Sequence, residues 1–233
     1  MNIWNRLRVF VNGTHFPLYL LRELKNEFHL LSVRWNNRLN PVQWGRRKQL
    51  ESLDTVKLHF GCGRRILPGW VNVDGYYVNG ISYVMDLRCA LPLADNSTQF
   101  IFTEHVLEHL DYERDITFVL SEFHRVLKPG GAVRIIVPDL EKYCRAYVDN
   151  DCDWFLVTQA GPPGAYVVNS IFMDHFHKFI YDFATMANCL KKAGFKDIVQ
   201  TQYLNSGIPE VNLDTDVATR RNESLCVEAI KIV

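Results

Sequence analysis

The stretch Leu58-His59-Phe60-Gly61-Cys62-Gly63 ends an apolar run in a glycine turn, and a second run, Val71-Asn72-Val73-Asp74-Gly75, ends in a carboxylate. A parallel sheet places such a turn and such an acid at one edge, where backbone N–H groups meet a nucleoside. Glycine lets the backbone approach a ligand closely because it has no Cβ. Asp74, at the tip of its strand, is placed to accept hydrogen bonds from ribose hydroxyls. The pattern predicts a site for a nucleotide-like cofactor.

Strand-like and helical segments alternate around this motif. Strand-like runs lie at 56–60, 71–74, 82–85, 99–102, 132–137, 196–203 and 224–233, and helical patterns lie at 116–127 and 181–193. Lys128-Pro129-Gly130-Gly131 is predicted to stop the first of these helices and to turn the chain into the fifth strand. The alternation predicts an α/β fold with right-handed crossovers, and the last two strands are close enough to pair antiparallel. Only nine residues separate Phe60 and Trp70, so we expect a very short helix or a loop at the first crossover.

The composition fits one main domain with a short appendage. The chain has 233 residues and is 48% hydrophobic, which suffices for a full core. No apolar stretch reaches the roughly 18–20 residues that span a bilayer, and the N-terminus has no secretory pattern, so we expect a cytoplasmic protein. The six cysteines form no Cys-x-x-Cys pair and are expected to be free thiols.

The N-terminal part of the chain is basic and helical in pattern, and the main domain begins near Thr55. Residues 1–54 are expected to form a basic helical extension, and residues 55–233 the main domain, with an insertion at about 141–177 that covers the site. The first 65 residues carry 12 of the 26 Lys and Arg but only 4 of the 26 Asp and Glu. We expect this basic segment to pack on the acidic remainder, while anionic lipid or a phosphorylated carrier is the alternative partner. Nucleic acid is not expected, because no basic stripe is interleaved with aromatic residues.

A helical stripe of large apolar residues crosses the extension. Its members are Phe16, Leu20, Leu24, Phe28, Leu31 and Trp35. The opposite face carries Arg22, Asn26 and His29. We expect the apolar face to pack on the domain, and the alternative is a helix that lies on a membrane surface.

Further motifs follow the glycine turn in a fixed order. They are Leu67–Trp70, Asn72–Asp74, Asp86-Leu87, Leu91-Pro92, Glu104–His109, Arg125–Gly131 and Val137–Leu140. This ordered set resembles the class I S-adenosylmethionine-dependent methyltransferases, and most closely a subgroup of predicted methyltransferases with Gly-Cys-Gly, Leu-Pro-Gly-Trp and Asn-Val-Asp. The resemblance runs from about residue 56 to the C-terminus. It implies a three-layer, Rossmann-like, seven-stranded, mostly parallel sheet with an antiparallel last strand.

The resemblance also implies the cofactor, S-adenosylmethionine, and its product, S-adenosylhomocysteine. The implied contacts are Gly61, Cys62 and Gly63 at the methionine part, Asp74 with Gly75 beside it at the ribose, Asp86 and Leu87 at the adenine, and Glu104 and His105 at the sulfonium. The resemblance implies O-methylation of a sugar or glycan-type small acceptor in glycan biosynthesis. The basic N-terminal segment would fit a nucleotide- or lipid-linked sugar. The alternatives are a methyltransferase of a small natural product and a cofactor-fold module without turnover.

Methyl transfer from a sulfonium mainly requires that nucleophile and methyl group be held in line, but a hydroxyl acceptor gains from a nearby base. The candidate catalytic residues are His105, Asp139, His175 and His177. A structural role stays open for each of them; Asp139, for example, is also placed to cap the next helix.

Two other enzyme classes fit parts of the sequence. His105–His109 reads His-x-x-Glu-His, the inverted zinc-peptidase signature. That signature needs a helix and a third ligand, whereas this one begins directly after a strand-like run, so we predict no metal site and assign Glu108 and His109 to hydrogen bonds at the start of a helix. A nicotinamide dehydrogenase would need a third glycine at position 66, which is Ile66.

Overall fold

The computed structural model describes residues 18–149, 163–173 and 176–232. His175, Cys152 and part of the predicted insertion lie outside these ranges. The strands are β1 (Val56–Phe60), β2 (Val71–Asp74), β3 (Tyr83–Val84), β4 (Thr98–Glu104), β5 (Leu127–Pro138), β6 (Lys196–Thr201) and β7 (Ser224–Ile230). The helices are α1 (Leu18–Leu39), α2 (Pro41–Glu51), α3 (Ile116–Val126), α4 (Leu140–Asp149), α5 (Pro163–Met173), α6 (Phe183–Lys192) and α7 (Ala218–Glu223), with 3₁₀ turns at Leu107–His109 and Pro209–Val211.

The seven strands form one sheet in the order β3-β2-β1-β4-β5-β7-β6. The first five strands in this order are mutually parallel, and β7 runs antiparallel to both β5 and β6. Helices cover both faces. This architecture confirms the predicted three-layer, Rossmann-like sheet with an antiparallel last strand.

The core forms where α3 packs on the sheet. The apolar face of α3 presents Val119, Leu120 and Phe123, all at most 2% exposed. Phe123 meets Phe60 of β1 edge to face, with ring centroids 4.9 Å apart, a favourable geometry for aromatic pairs. Burial of this face fixes the helix against the centre of the parallel strands.

The predicted turn after α3 is incorporated into a strand. Lys128-Pro129-Gly130-Gly131 was expected as a loop, but β5 starts at Leu127 and its pairing with β4 shifts register between Thr98 and Phe100. Gly130 takes a φ of +78° there, a conformation that glycine adopts without strain. The segment is thus a glycine-containing irregularity at the start of β5.

The first crossover contains no helix, in agreement with its length. The side chain of Asn72 organises it: Oδ1 accepts the N–H of Leu67 at 2.9 Å, and Nδ2 donates to the carbonyl oxygens of Leu67 and Trp70 at 3.0 and 2.9 Å. His59 Nδ1 lies 3.0 Å from the same Oδ1. One buried amide thus satisfies backbone groups that a helix would otherwise satisfy.

Helix α1 packs with the face opposite to the one predicted. The stripe residues within the described chain are 39–59% exposed: Leu20, Leu24, Phe28, Leu31 and Trp35. The face that meets the domain includes Val33, which is 8% exposed, and polar residues whose partners are carbonyl groups and a carboxylate after β2 and near β3. His29 Nε2 lies 2.9 Å from the Gly75 carbonyl oxygen, and Asn37 Nδ2 donates to that of Val84 at 2.9 Å. The expectation that the apolar stripe packs on the domain is wrong.

A buried ion cluster joins the C-terminal segments to the sheet. Arg134 of β5 is 0% exposed; its Nε donates to Asp214 at 2.7 Å and its Nη1 to Glu228 of β7 at 2.6 Å. Such a cluster is stable only when every charge keeps its partner.

Two remaining expectations concern thiols and membrane spans. Cys62, Cys89, Cys144, Cys189 and Cys226 are free thiols, as predicted. Within the described ranges, no helix combines the length and the apolar character that crossing a bilayer requires.

Candidate functional site

A cleft of about 310 Å³ opens at the carboxyl ends of β1, β2 and β4. The strand order reverses between β1 and β4, and ligands of open α/β sheets bind at such switch points. Seven residues predicted to contact the cofactor line this cleft: Gly61, Gly63, Asp74, Gly75, Asp86, Leu87 and His105.

The two glycines of the turn serve different geometric needs. Gly61 has a φ of +72°, and a Cβ there would lie 2.2 Å from Cγ2 of Val106. Gly63 has a φ of +52°, and a Cβ there would project into open space at the cleft. The first glycine permits close packing of the turn, and the second leaves room for a ligand.

Asp74 ties the glycine turn to the end of β2. Its Oδ2 accepts the N–H of Gly63 at 2.8 Å, and its Oδ1 accepts the N–H of Tyr76 at 3.0 Å. The carboxylate lines the cleft. A carboxylate accepts about four hydrogen bonds, so Asp74 retains capacity for hydroxyl donors of a ligand.

Asp86 is enclosed by guanidinium groups. Its side chain is 1% exposed and accepts hydrogen bonds from Arg34 Nε at 2.7 Å and Arg88 Nε at 2.9 Å. Burial raises the pKa of Asp86, but the hydrogen bonds from Arg88 and Arg34 outweigh it, and the pKa lies below its ordinary value. Arg88 also donates to Glu27 of α1 at 2.7 and 2.9 Å.

Helix α1 contributes a wall of the cleft that sequence reasoning missed. Asn26, Glu27 and Leu30 line it. Tyr76 joins this wall: its hydroxyl donates to Asn26 Oδ1 at 2.6 Å, and its ring stacks on His29 at 4.2 Å between centroids. The helical spacing of the polar residues of α1 indicated a polar face that could pack on the domain. Their partners could not be identified from the sequence, because they lie at least 46 residues away.

His105 enters the cleft immediately after β4. Its backbone takes a φ of +54°, and its N–H donates to the carbonyl oxygen of Ile136 at 2.8 Å. Its Nε2 lies 3.0 Å from Ser224 Oγ and its Nδ1 lies 3.3 Å from Glu108 Oε1. A non-glycine residue in this backbone region is uncommon and is often found at functional sites.

Glu104 and Cys62 do not line the cleft. Glu104 accepts hydrogen bonds of 2.6 Å from the hydroxyls of Tyr203 and Thr215. Burial raises the pKa of Glu104. The hydrogen bonds from Thr215 and Tyr203 and the charge of Arg220 lower it by more, so the pKa lies below its ordinary value. The Cys62 thiol is buried, and burial raises its pKa to about 12.

The other predicted bases are spread around the site. Asp139 is 3% exposed, does not line the cleft, and accepts the N–H of Glu141 at 3.0 Å as α4 begins. Burial raises the pKa of Asp139. His177 packs edge to face on His109, which lines the cleft, and His175 lies outside the described residues.

One stretch of the chain matches a known protein family. A family model described as a methyltransferase domain matches residues 70–135, fewer than a third of the chain. No curated protein has a significant sequence match to the chain.

The solved structures that resemble this chain share little sequence with it. An S-adenosylmethionine-dependent methyltransferase from Mesorhizobium loti has 16% identity, covers 81% of this chain and 97% of its own, and has a TM-score of 0.48. A methyltransferase from Archaeoglobus fulgidus has 16% identity, with 92% and 100% covered and a TM-score of 0.43. Phosphoethanolamine N-methyltransferase 2 of Haemonchus contortus, in complex with S-adenosylmethionine, has 15% identity, with 97% and 60% covered and a TM-score of 0.47.

Residues 70–135 therefore resemble a methyltransferase domain, and they lie within the seven-stranded α/β sheet. S-adenosylmethionine is the methyl donor that the sequence resemblance implies. The residues at the cleft fit that group, because the open space beside Gly63 and the Asp74 carboxylate at the strand tip offer a cradle and a polar partner.

Proposed function

We propose that this protein is an S-adenosylmethionine-dependent methyltransferase and that it methylates a hydroxyl oxygen of a sugar or glycan-type small acceptor. When bound, S-adenosylmethionine supplies an electrophilic methyl group, and S-adenosylhomocysteine is the product. The observation that carries the choice of a hydroxyl is the pairing of His105, at the cleft, with the buried carboxylate of Glu108. A hydroxyl becomes a good nucleophile only as its proton is removed, whereas an amine or thiolate needs little help.

The partners of His105 favour one tautomer. If Nδ1 carries the proton, its N–H faces Glu108. Nε2 is then the basic atom and accepts a hydrogen bond from the Ser224 hydroxyl. His105 is therefore the proposed general base, with its basic nitrogen reached either directly by the acceptor hydroxyl or through Ser224. Glu108 orients the ring and stabilises the imidazolium that forms.

The proposed cofactor contacts follow the cleft. Gly61 and Gly63 accommodate the methionine part, Asp74 accepts hydrogen bonds from the ribose hydroxyls, and Leu87 packs on the adenine. Asp86 holds the loop that carries Leu87, since Arg34 and Arg88 occupy its oxygens.

Cys62 and Glu104 do not line the cleft, and we propose that they hold the residues that do. Cys62 donates its backbone N–H to Val73 at 3.0 Å and thereby holds the glycine turn. Glu104 anchors Tyr203 and Thr215 beneath His105.

The acceptor is proposed to be lipid-linked and to be met at an anionic membrane. Helix α1 supports this choice because one face lines the cleft and another exposes the apolar stripe. Residues 18–51 carry seven Lys and Arg and three Glu, a balance that favours anionic headgroups. A nucleotide-linked sugar needs no exposed apolar stripe, so it is the second choice.

Calorimetric titration of S-adenosylmethionine and S-adenosylhomocysteine into metal-stripped protein tests the cofactor site. We expect micromolar binding that Asp74→Ala weakens at least about tenfold, since roughly 1.4 kcal/mol corresponds to that factor. Glu210→Ala, which removes an exposed carboxylate away from the cleft, serves as the control and should bind normally. Equal binding by wild type and Asp74→Ala contradicts the proposed ribose contact.

Acceptor class is tested by formation of S-adenosylhomocysteine with lipid-linked sugars, nucleotide sugars and small phenols or amines. Turnover of the lipid-linked class alone supports the proposal, whereas turnover of amines alone contradicts it. His105→Gln should lower kcat with little effect on cofactor affinity.

Membrane contact is tested by sedimentation with neutral and anionic vesicles. We expect binding to anionic vesicles that falls with salt and that is lost in Phe28→Ser/Trp35→Ser. Phe118→Ser alters an exposed aromatic residue of α3 and is the matched control. No binding by the wild type contradicts the membrane proposal and leaves the cofactor proposal intact.

A further inference from the structure

Two histidines and one glutamate converge beside the cofactor cleft. Glu108 and His109 lie in the 3₁₀ turn after β4, and His177 lies in the segment that follows α5. Each offers one ligand atom, and these atoms all lie within 4.8 Å of one another. The N–H groups of Lys178 and Phe179 donate to the Glu108 carbonyl oxygen at 2.7 and 3.2 Å. These backbone bonds hold the two chain segments in register.

The Glu108 carboxylate is buried and faces histidine nitrogen atoms. It is 0% exposed, and among the residues that the structure describes neither of its oxygens completes a well-directed hydrogen bond. His105 Nδ1 lies 3.3 Å and His177 Nε2 lies 3.9 Å from Glu108 Oε1. A carboxylate removed from water is costly unless a cation or hydrogen-bond donors compensate it. The position is therefore suited to a bound cation.

We propose that Glu108, His109 and His177 bind a divalent transition-metal ion of the Zn²⁺ type. Imidazole nitrogen with one carboxylate is a ligand set that suits Zn²⁺ and its neighbours, whereas Mg²⁺ and Ca²⁺ prefer oxygen ligands. Zinc–ligand bonds are about 2.0–2.2 Å long, so the three ligand atoms must approach one another slightly. His109 is exposed and can make that adjustment by side-chain rotation.

The site lies between two concave surfaces. His109 lines the cofactor cleft, and His177 lines a neighbouring groove with Glu23, Phe172, Met173 and Phe176; Lys178 borders both. Three protein ligands leave an open coordination position, which is typical of catalytic rather than structural zinc. A metal there would lower the pKa of an acceptor hydroxyl as its oxygen meets the methyl group. This role rests on the proposed O-methylation. It would place the methyl acceptor in the groove lined by His177.

The signal in the sequence was partial. His-x-x-Glu-His brought Glu108 and His109 together, but His105 is not one of the three converging ligands, and the turn is 3₁₀ rather than a helix. The third ligand comes from a distant segment, so spacing along the chain could not identify it.

Metal binding by the full chain provides the test. Protein freed of metal by chelation is titrated with Zn²⁺ by calorimetry and with Co²⁺ by visible absorption. We expect one ion per chain, tetrahedral Co²⁺ bands, and at least a hundredfold weaker binding in His177→Ala and His109→Ala. His124→Ala, which alters a half-buried histidine packed on Phe195, is the matched control and should bind metal normally. Glu108→Gln adds a third ligand variant, read only if its thermal unfolding shows that it folds.

Two results would overturn the inference. One is the absence of stoichiometric binding to wild type, and the other is binding that neither histidine variant weakens. Cofactor titration of the same metal-free protein separates this inference from the proposed function. Intact, Asp74-dependent cofactor binding together with no metal binding overturns the metal site alone.

Discussion

Arg34 of α1 donates a hydrogen bond of 2.7 Å from Nε to Oδ2 of Asp86, the carboxylate that follows β3. Arg88 donates to the same carboxylate and, at 2.7 Å, to Glu27 of α1. Charges of alternating sign therefore join α1 to the edge of the cofactor cleft. Since the Asp86 side chain is only 1% exposed, this connection is protected from solvent screening more than a surface ion pair is.

Replacing Arg88 with alanine should destabilise the fold. The change removes the residue that joins Asp86 to Glu27 and leaves a buried carboxylate with Arg34 as its ion-pair partner. We expect a loss of about 2–4 kcal/mol in the free energy of unfolding, measured in urea. Arg47→Ala breaks an exposed pair with Glu51 and should cost less than about 1 kcal/mol. Equal losses in the two variants would contradict the buried role of Arg88.

Stability should fall in acid partly through Asp86. The pKa of Asp86 is lower in the folded state than its ordinary value, so its contribution is present above the unfolded pKa of about 3.9 and is lost as the pH falls below it. Asp86→Asn should therefore show a shallower decline in unfolding free energy between about pH 5 and pH 3. Glu113→Gln, at an exposed position, should retain the wild-type slope. A variant slope as steep as that of wild type would argue against this contribution.

Alanine at Gly61 and at Gly63 should have different consequences. At Gly61 the new methyl group meets Val106 at 2.2 Å and φ is positive, so we expect a loss of about 2–5 kcal/mol of stability. At Gly63 only the backbone strain applies, about 1–2 kcal/mol, while the methyl group enters the cleft and weakens S-adenosylhomocysteine binding. Thermal unfolding and calorimetry separate the two effects.

A second substitution checks the cause at Gly61. Val106→Ala in the Gly61→Ala background removes the clash but not the strain, so it should restore part of the lost stability. A double variant that is less stable than Gly61→Ala would mean that the clash is not the cause.

Arg134→Met should be among the most destabilising single changes. It leaves Asp214 and Glu228 buried without their shared guanidinium, and breaking such a cluster costs about 3–5 kcal/mol. Chemical unfolding measures the effect, with Arg145→Ala as the exposed control on α4. A loss no greater than that of the control would mean that the cluster is solvated in the folded protein.

The sheet was predictable because its strands are short apolar runs between turn residues. The glycine turn, the carboxylate at the end of β2 and the late antiparallel pair all follow from local sequence and chain connectivity. The sequence could also have predicted that Glu104 and His105 point in different directions, since neighbouring residues at a strand end point to opposite faces. The resemblance assigned both residues to the sulfonium, but only His105 lines the cleft.

The orientation of α1 could not be predicted in the same way. Periodicity identifies an apolar face but does not tell whether that face or the polar one meets the domain. Here the deciding groups are the carbonyl oxygens of Gly75 and Val84 and the carboxylate of Asp86. Their positions depend on loops that the sequence pattern does not specify, so the α1 wall of the cleft was missed.

The long-range contacts of α1 have a consequence for biosynthesis. The helix leaves the ribosome before its docking partners exist, because Gly75 and Arg88 follow their α1 partners by 46 and 61 residues. Until β2 and the loop after β3 have emerged, α1 has neither its carbonyl acceptors nor its guanidinium partner. Its apolar stripe is exposed during that interval, so the proposed membrane contact would precede completion of the cleft.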